Sequence, residues 1–361
     1  MTVPDWVPLR DELRDEEPYG APQIDVPVRL NTNENPYGPS EVAADDIAQS
    51  VRAAALGLNR YPDREAWQLR NALAAYLSRE VTGLDADHVW AANGSNEVMQ
   101  QILQAFGGPG RTAVSFAPTY SMYPEYARNT HTRWVAGRRR DDFGIDVDEA
   151  VSLIEAERPD VVILTSPNNP TGTALDPAHT RAVLEAAPGI VVVDEAYAEF
   201  RRTGTPSALE LLDEFSKLIV TRTMSKAFAL AGGRLGYLAA DPALVDALRI
   251  VRLPYHLSSV TQAVAEAALR HTDELLAQVD ALRAERDRSA ERLRAAGFTV
   301  ADSDANFILF GTFEDRHAVW QALVDRGVLI REVGPLGWLR VSIGTPDEMN
   351  TFHTTLEEVL R

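Results

Sequence analysis

Two runs without a polar side chain, Val161-Val162-Ile163-Leu164 and Ile190-Val191-Val192-Val193, constrain the fold of this chain more than any other feature. They are too short for ordinary helices, and their β-branched content suits strands covered on both faces. A third run, Leu218-Ile219-Val220, is of the same kind. Each leads into a polar turn: Thr165-Ser166-Pro167-Asn168-Asn169-Pro170-Thr171-Gly172, Asp194-Glu195-Ala196-Tyr197 and Thr223-Met224-Ser225-Lys226. Strands at His88–Ala92, Ala113–Phe116 and Gly236–Ala240 extend a strand–loop–helix pattern over about residues 85 to 240. That alternation predicts a doubly wound α/β lobe, in which ligands bind at the carboxyl ends of the strands. No glycine fingerprint for a dinucleotide follows the first strand, which argues against a nicotinamide cofactor.

The rest of the chain reads as support for that lobe. Residues 1–40 are rich in Pro, Asn, Asp and Glu and predict an extended arm. Helices are expected over 41–56 and Ala66–Arg79, and a nearly continuous helix from Ser258 to Ala296. Strands at Phe298–Val300, Asn306–Phe310, Val328–Arg331 and Leu339–Ile343, with helices over 314–326 and Pro346–Leu360, predict a second, smaller α+β lobe. A formal net charge of −18 argues against a nucleic-acid partner, and any anionic ligand must then be drawn in by locally placed arginines. The absence of cysteine excludes disulfides, thiolate catalysis and cysteine metal sites. The seven histidines show no ligand spacing, so no metal is expected. The amino terminus lacks a signal-peptide pattern and no apolar run reaches membrane-spanning length, so a cytoplasmic location and no membrane partner are expected.

The chemistry concentrates in the turns. In Thr223–Arg234, hydroxyls precede Lys226, and Arg234 follows a stretch rich in Ala and Gly that lets backbone approach a ligand. A lysine amine forms Schiff bases with carbonyls, and hydroxyls with a forked guanidinium suit a phosphate. A ligand carrying both an aldehyde and a phosphate is pyridoxal 5'-phosphate. Alone, the stretch reads first as a solvated lysine in a loop, and the rest of the chain has to change that reading. Gly94-Ser95-Asn96-Glu97 is either a helix N-cap or an anion site. Asp194 is either a helix cap or an acid at the sheet edge, and Tyr120 either core or a face for a flat ring.

The order of these signals, with Asn169-Pro170-Thr171-Gly172 and Arg340, resembles the aspartate-aminotransferase fold type of pyridoxal-phosphate enzymes over about residues 29 to 345. Leu30–Gly38, Tyr61-Pro62-Asp63, Ser166–Gly172, Val191–Phe200, Arg222–Tyr237 and Leu339–Thr345 resemble the histidinol-phosphate aminotransferases in particular. Asn96, Gly233 and His256 stand where aspartate, leucine and asparagine are common, and the loop between Arg331 and Arg340 is short.

The resemblance implies fold type I, with a large, mostly parallel seven-stranded sheet and a smaller α+β lobe. It implies an arm and part of the small domain over 1–40, a large domain over 41–250 and a small domain over 251–361, joined by a connector helix from about 258. Lys226 then carries the cofactor and shuttles the substrate proton. Asp194 pairs with the pyridine nitrogen, Asn169 and Tyr197 bond the phenolic oxygen, and Tyr120 stacks on the ring. Ser95, Asn96, Thr223, Ser225 and Arg234 hold the phosphate, joined by Tyr61 from a partner subunit, which implies a homodimer with shared sites. Arg340 grips the substrate carboxylate, with Arg331 either a second phosphate contact or a surface ion pair. Tyr19 and Asn33 are further substrate candidates. The implied reaction converts histidinol phosphate and 2-oxoglutarate to imidazole acetol phosphate and glutamate, in histidine biosynthesis. An aromatic transaminase, a phospho-amino-acid decarboxylase and, more distantly, a non-catalytic ligand-binding regulator are the alternatives.

Overall fold

The computed structural model describes Pro4 and residues 6–361. The first part of the expected arm, residues 1–3 and 5, lies outside the described residues. In chain order the strands are β1 (Val28–Arg29), β2 (Val89–Ala92), β3 (Thr112–Ala117), β4 (Arg133–Arg138), β5 (Val161–Thr165), β6 (Ile190–Asp194), β7 (Leu218–Thr223) and β8 (Gly236–Ala240), followed by β9 (Thr299–Val300), β10 (Phe307–Gly311), β11 (Val328–Leu329) and β12 (Leu339–Ser342). The helices are α1 (Glu41–Ala55), α2 (Trp67–Leu77), α3 (Ser95–Phe106), α4 (Met122–Asn129), α5 (Val147–Glu157), α6 (Pro177–Ala186), α7 (Pro242–Val251), α8 (Ser259–Arg270), α9 (Thr272–Ala295), α10 (Arg316–Val324) and α11 (Pro346–Val359).

A seven-stranded sheet in the order β2-β8-β7-β6-β5-β3-β4 forms the centre. Its strands are parallel except β8, which runs against both neighbours. The apolar runs occupy its middle, where every residue of β5 and β7 is buried. The chain builds outward from β3 to β4, then returns to lay β5 on the other side of β3. The loops after β3 and β5 therefore diverge, and a crevice opens between them at the carboxyl edge. Strand β4 carries no sequence signal. Arg133-Trp134-Val135-Ala136-Gly137-Arg138 sits at the sheet edge with mixed exposure, so burial imposes no apolar run on it.

The second sheet, in the order β12-β10-β9, is antiparallel, and β1 pairs in parallel with β11. The amino-terminal arm is thereby stitched to the carboxyl-terminal third, and the Leu30 carbonyl accepts from the Ser342 N–H at 2.9 Å. The expected long helix from 258 to 296 is two helices. At His271 the backbone leaves the helical region (φ −105°, ψ 23°), and the Thr272 hydroxyl takes the Leu269 carbonyl at 2.7 Å. Arg270 and His271 both bond Asp46 of α1, which fixes the break against the first helix. Among the described residues, no helix is long and apolar enough to cross a membrane.

One buried ion cluster fastens the sheet behind the crevice. Arg222 of β7, 1% exposed, donates to Glu195 at 2.8 and 3.1 Å and to Glu80, just past α2, at 2.5 and 3.0 Å. The guanidinium holds Glu80 down at about 2 although burial alone pushes it up. Removing one member leaves the others charged and buried. Arg222→Leu is expected to destabilise the fold by about 3–5 kcal/mol, since a broken buried pair leaves an uncompensated charge. Urea unfolding measures this, and a loss below about 1 kcal/mol would show the cluster to be dispensable.

Candidate active site

Every residue singled out from the sequence except Tyr61 lines a single cavity of about 250 Å³ at the carboxyl edge of the large sheet. Asp194 ends β6 and Thr223 ends β7. Asn169 lies in the turn after β5, Tyr120 in the turn after β3, and Ser95 opens α3 directly after β2. Arg340 enters from β12 of the small sheet, and Asn33 and Tyr19 from the arm. Tyr61 is 79% exposed and stacks on Tyr255 at 4.4 Å, away from the cavity.

One pole of the cavity is built for an anion. Gly94 precedes α3 at φ 85° and no side chain caps that helix; the Glu97 N–H turns back to the Gly94 carbonyl at 3.1 Å, and the Ser95 and Asn96 N–H groups are left for a ligand. A Cβ at Gly236 would stand 2.1 Å from the Ser95 nitrogen, and one at Gly94 would stand 2.6 Å from Arg234 Nη2. Only glycines let β8, the helix start and the guanidinium come this close. The Thr223 and Ser225 hydroxyls are 3.0 Å apart beside them. Within Gly94-Ser95-Asn96-Glu97, Gly94 is the N-cap of α3 and Ser95 its first residue, so the stretch is a helix start with no side-chain cap.

Arg340 forms a second pole. It is 6% exposed and forms no ion pair with a carboxylate among the described residues. Nη1 donates to Asn169 Oδ1 at 2.5 Å, Nη2 donates to the Asn31 carbonyl at 2.9 Å, and Nε is buried without a partner. Burial, eased by Tyr197 and aggravated by Arg331, pulls its pKa down to about 10. A buried guanidinium with a vacant donor and no acid beside it is a receptor for an anion. Arg331 pairs with Arg340 through the backbone, and its Nη2 donates to the Gly20 carbonyl at 3.3 Å. No carboxylate ion pair holds Arg331 among the described residues. Tyr19 stands edge-on to Tyr120 at 6.4 Å, and its hydroxyl accepts from Ser121 at 3.2 Å.

Lys226 lies under the influence of both poles. Its Nζ donates to the Thr32 carbonyl at 3.0 Å. Burial first, then Arg340, push its pKa down to about 8; Glu34 pulls the other way, and Arg234 adds a lesser downward push. A lysine so placed is partly neutral at pH 7 and therefore nucleophilic. Asp194 is 6% exposed. Burial pushes its pKa up, while hydrogen bonds from Tyr123 and the Ala196 N–H pull it down. Tyr197 accepts from Asn33 Nδ2 at 3.0 Å, so its own proton remains for another acceptor. Asn169 uses Oδ1 on Arg340, which leaves its amide N–H free, whereas the adjacent Asn168 is fully buried and bonds Pro118 and Thr171.

Sequence reasoning passed over Thr32, whose contribution is a carbonyl and carries no side-chain signal. It also passed over Tyr123, which donates to Asp194 Oδ2 at 2.7 Å, because a tyrosine in an apolar-periodic helix looks like core. Asn33 has both side-chain polar atoms engaged inside the protein, with Oδ1 accepting from Ser342 at 2.8 Å.

The two anion poles, the depressed lysine and the buried acid fit a phosphorylated aldehyde with a basic ring nitrogen, as pyridoxal 5'-phosphate is. Comparison with known proteins agrees. The model of the aminotransferase class I and II family matches residues 25–356. A histidinol-phosphate aminotransferase from Thermobifida fusca is 64% identical over 98% of this chain and 95% of its own length. The structure of histidinol-phosphate aminotransferase from Sinorhizobium meliloti in complex with pyridoxal-5'-phosphate superposes with a TM-score of 0.82 at 26% identity, covering 93% of this chain and 91% of that one. An aspartate aminotransferase from Thermus thermophilus shares the fold with a TM-score of 0.78 at 22% identity, covering 93% of this chain and 92% of that one. With the glycine cradle, the lysine and the buried Arg340 gathered in one cavity, the chain belongs to the histidinol-phosphate aminotransferases within the class I and II aminotransferase family.

Proposed function

We propose that this protein transfers the amino group of histidinol phosphate to 2-oxoglutarate, with pyridoxal 5'-phosphate as cofactor, in histidine biosynthesis. The observation that carries this reading is the pair of anion poles that both act on Lys226: Arg234 on one side and Arg340 on the other. One pole suits the cofactor phosphate. The other suits, in turn, the phosphate of histidinol phosphate and a carboxylate of the dicarboxylic partner. The relatives' shared name supports the choice of amino donor.

When bound, the cofactor supplies an aldehyde that condenses with amines and a ring that takes up electrons. The chain's own residues supply the rest. Arg234, the Thr223 and Ser225 hydroxyls and the start of α3 would hold the cofactor's phosphate, and Tyr120 would offer a face to its ring. Lys226 Nζ would take up and hold the proton released from the substrate α-carbon, the amine being free to return it once the cofactor has taken up the electrons. Asp194 holds a proton on the ring nitrogen. Tyr197 Oη, its lone pair occupied by Asn33, donates to the ring's phenolic oxygen together with the free amide N–H of Asn169. Asn33 thus serves Tyr197 rather than meeting substrate. Arg340 and Arg331 orient the substrate anion, and Tyr19 closes the mouth.

The exposed side chains of Tyr61, Ile250, Leu253 and Tyr255 support a second copy of this chain covering that face. A homodimer would bring Tyr61 to the neighbour's phosphate pole. The division at about residues 40 and 250, and a cytoplasmic location, belong to the same reading. A paired half-reaction tests the substrate. Purified holoenzyme is mixed with histidinol phosphate or with phenylalanine, and conversion is followed by cofactor absorbance. A kcat/KM at least about a hundredfold higher for histidinol phosphate is expected, because phenylalanine offers the Arg340 and Arg331 pole a carboxylate but no phosphate, and its phenyl ring has no hydrogen-bonding group. Equal or faster conversion with phenylalanine would reassign the enzyme to aromatic transamination.

A further inference from the structure

The roles assigned so far use the carboxylate of Asp194 but not the side chain behind it. Tyr123, in the first turn of α4, is 1% exposed. Its Oη lies 2.7 Å from Asp194 Oδ2 and 2.9 Å from Thr165 Oγ1. An ionised carboxylate only accepts, so the single phenolic proton is committed to Asp194. The Thr165 hydroxyl must then be the donor in the second contact. Thr119 Oγ1 stands 3.4 Å behind Thr165. The donors therefore point one way, from Thr165 through Tyr123 to Asp194, and linked bonds of this kind polarise one another in a dry interior. On the other carboxylate oxygen the Ala196 N–H donates at 3.1 Å. The ring of Tyr123 also stands edge-on to Tyr120 at 5.5 Å.

We propose that Tyr123 is a positioning residue for transamination: its hydroxyl, backed by Thr165, sets how firmly Asp194 leaves the shared proton on the cofactor's ring nitrogen. The proposal rests on the role given to Asp194 above. A donor to a carboxylate stabilises its ionised form. Without that donor Asp194 becomes more basic, and the shared proton moves from the ring nitrogen toward the carboxylate. The ring is then a weaker electron sink. Burial opposes ionisation of Asp194, and the support against it comes first from Tyr123, then from the Ala196 N–H and Thr221.

The test uses holoenzyme loaded with cofactor labelled with ¹⁵N in the ring, and Tyr123→Phe, which keeps the contact with Tyr120 and removes only the hydroxyl. The ring-nitrogen NMR signal is expected to move toward the neutral-pyridine position. kcat should fall by roughly tenfold to a hundredfold, as for loss of a hydrogen bond to a charged group, with KM within about threefold. Thr165→Val should shift the nitrogen in the same direction by less, and it carries the test should Tyr123→Phe not fold. Asp194→Asn is the control. If Asp194→Asn moves the nitrogen signal but Tyr123→Phe and Thr165→Val do not, the relay is wrong and the role of Asp194 stands. If Asp194→Asn leaves the signal unmoved, the role of Asp194 fails and the relay falls with it.

Discussion

Lys226→Ala is expected to lower kcat/KM by roughly 10⁴-fold or more, because one side chain both anchors the cofactor and moves the proton in the chemical step. Lys226→Arg should lose nearly as much. It keeps a positive charge between Arg234 and Arg340 but has no neutral amine at any working pH. That comparison separates nucleophilicity from electrostatics. The phosphate pole does not involve Lys226, so both variants should still take up pyridoxal 5'-phosphate, now removable by dialysis. The wild-type apoenzyme should also show the lysine's pKa directly. With a value pushed down to about 8, uptake should quicken about tenfold per pH unit below 8 and level off above it, as the neutral amine accumulates. The sign for stability follows from the same shift. Between about 8 and the ordinary value of 10.5, the unfolded chain holds a proton that the folded chain has lost. The apo fold should therefore gain stability as pH rises through that window. A Lys226→Ala enzyme with wild-type turnover would overturn the proposed chemistry.

Much of this site was legible before the structure because its parts sit where burial writes clear patterns. The strands that end at Thr165 and Asp194 are buried and read as apolar runs up to that last residue, and β7 begins with such a run, Leu218-Ile219-Val220. In β5 and β6 the first polar residue after the run falls at the carboxyl edge, where a doubly wound sheet binds ligands, and in β7 that edge comes three residues after the run, at Thr223. What stayed hidden lacks such a pattern. Edge strand β4 is half exposed and carries no apolar run. The break at His271 depends on a tertiary bond to Asp46, which no local propensity announces. Tyr123 is hidden for the opposite reason. Its ring is core by every local measure, and only the 2.7 Å approach of its hydroxyl to Asp194 gives it a second task. Asn33 shows how a motif can mark a position without naming its duty. The asparagine lies in the cavity wall, but both of its polar side-chain atoms face inward, to Tyr197 and Ser342.

Asp194→Asn is expected to reduce kcat by roughly 10²–10³-fold, the usual cost of removing one preorganised charge from where the reaction needs it. Asparagine can still accept from Tyr123 or the Ala196 N–H, but it cannot balance a protonated ring nitrogen. Cofactor affinity should fall by less than about tenfold, because the phosphate pole supplies charge-assisted bonds of its own. A misfolded variant would also lose activity, and stability discriminates between the two. Burial raises the folded-state pKa of Asp194 above its ordinary value of 3.8. As pH rises through that window, the unfolded chain releases its proton first, so the acid lowers the stability of the apo fold and continues to do so at neutral pH. Asp194→Asn removes that burden. Its apo form should unfold in urea at pH 7 no earlier than wild type while its holo form turns over slowly. An enzyme that keeps the wild-type kcat would remove Asp194 from the chemistry. One that loses both stability and cofactor would mark the acid as a structural cap. The expected pattern, activity lost and fold retained, is that of a charge kept in an unfavourable place because the reaction requires it there.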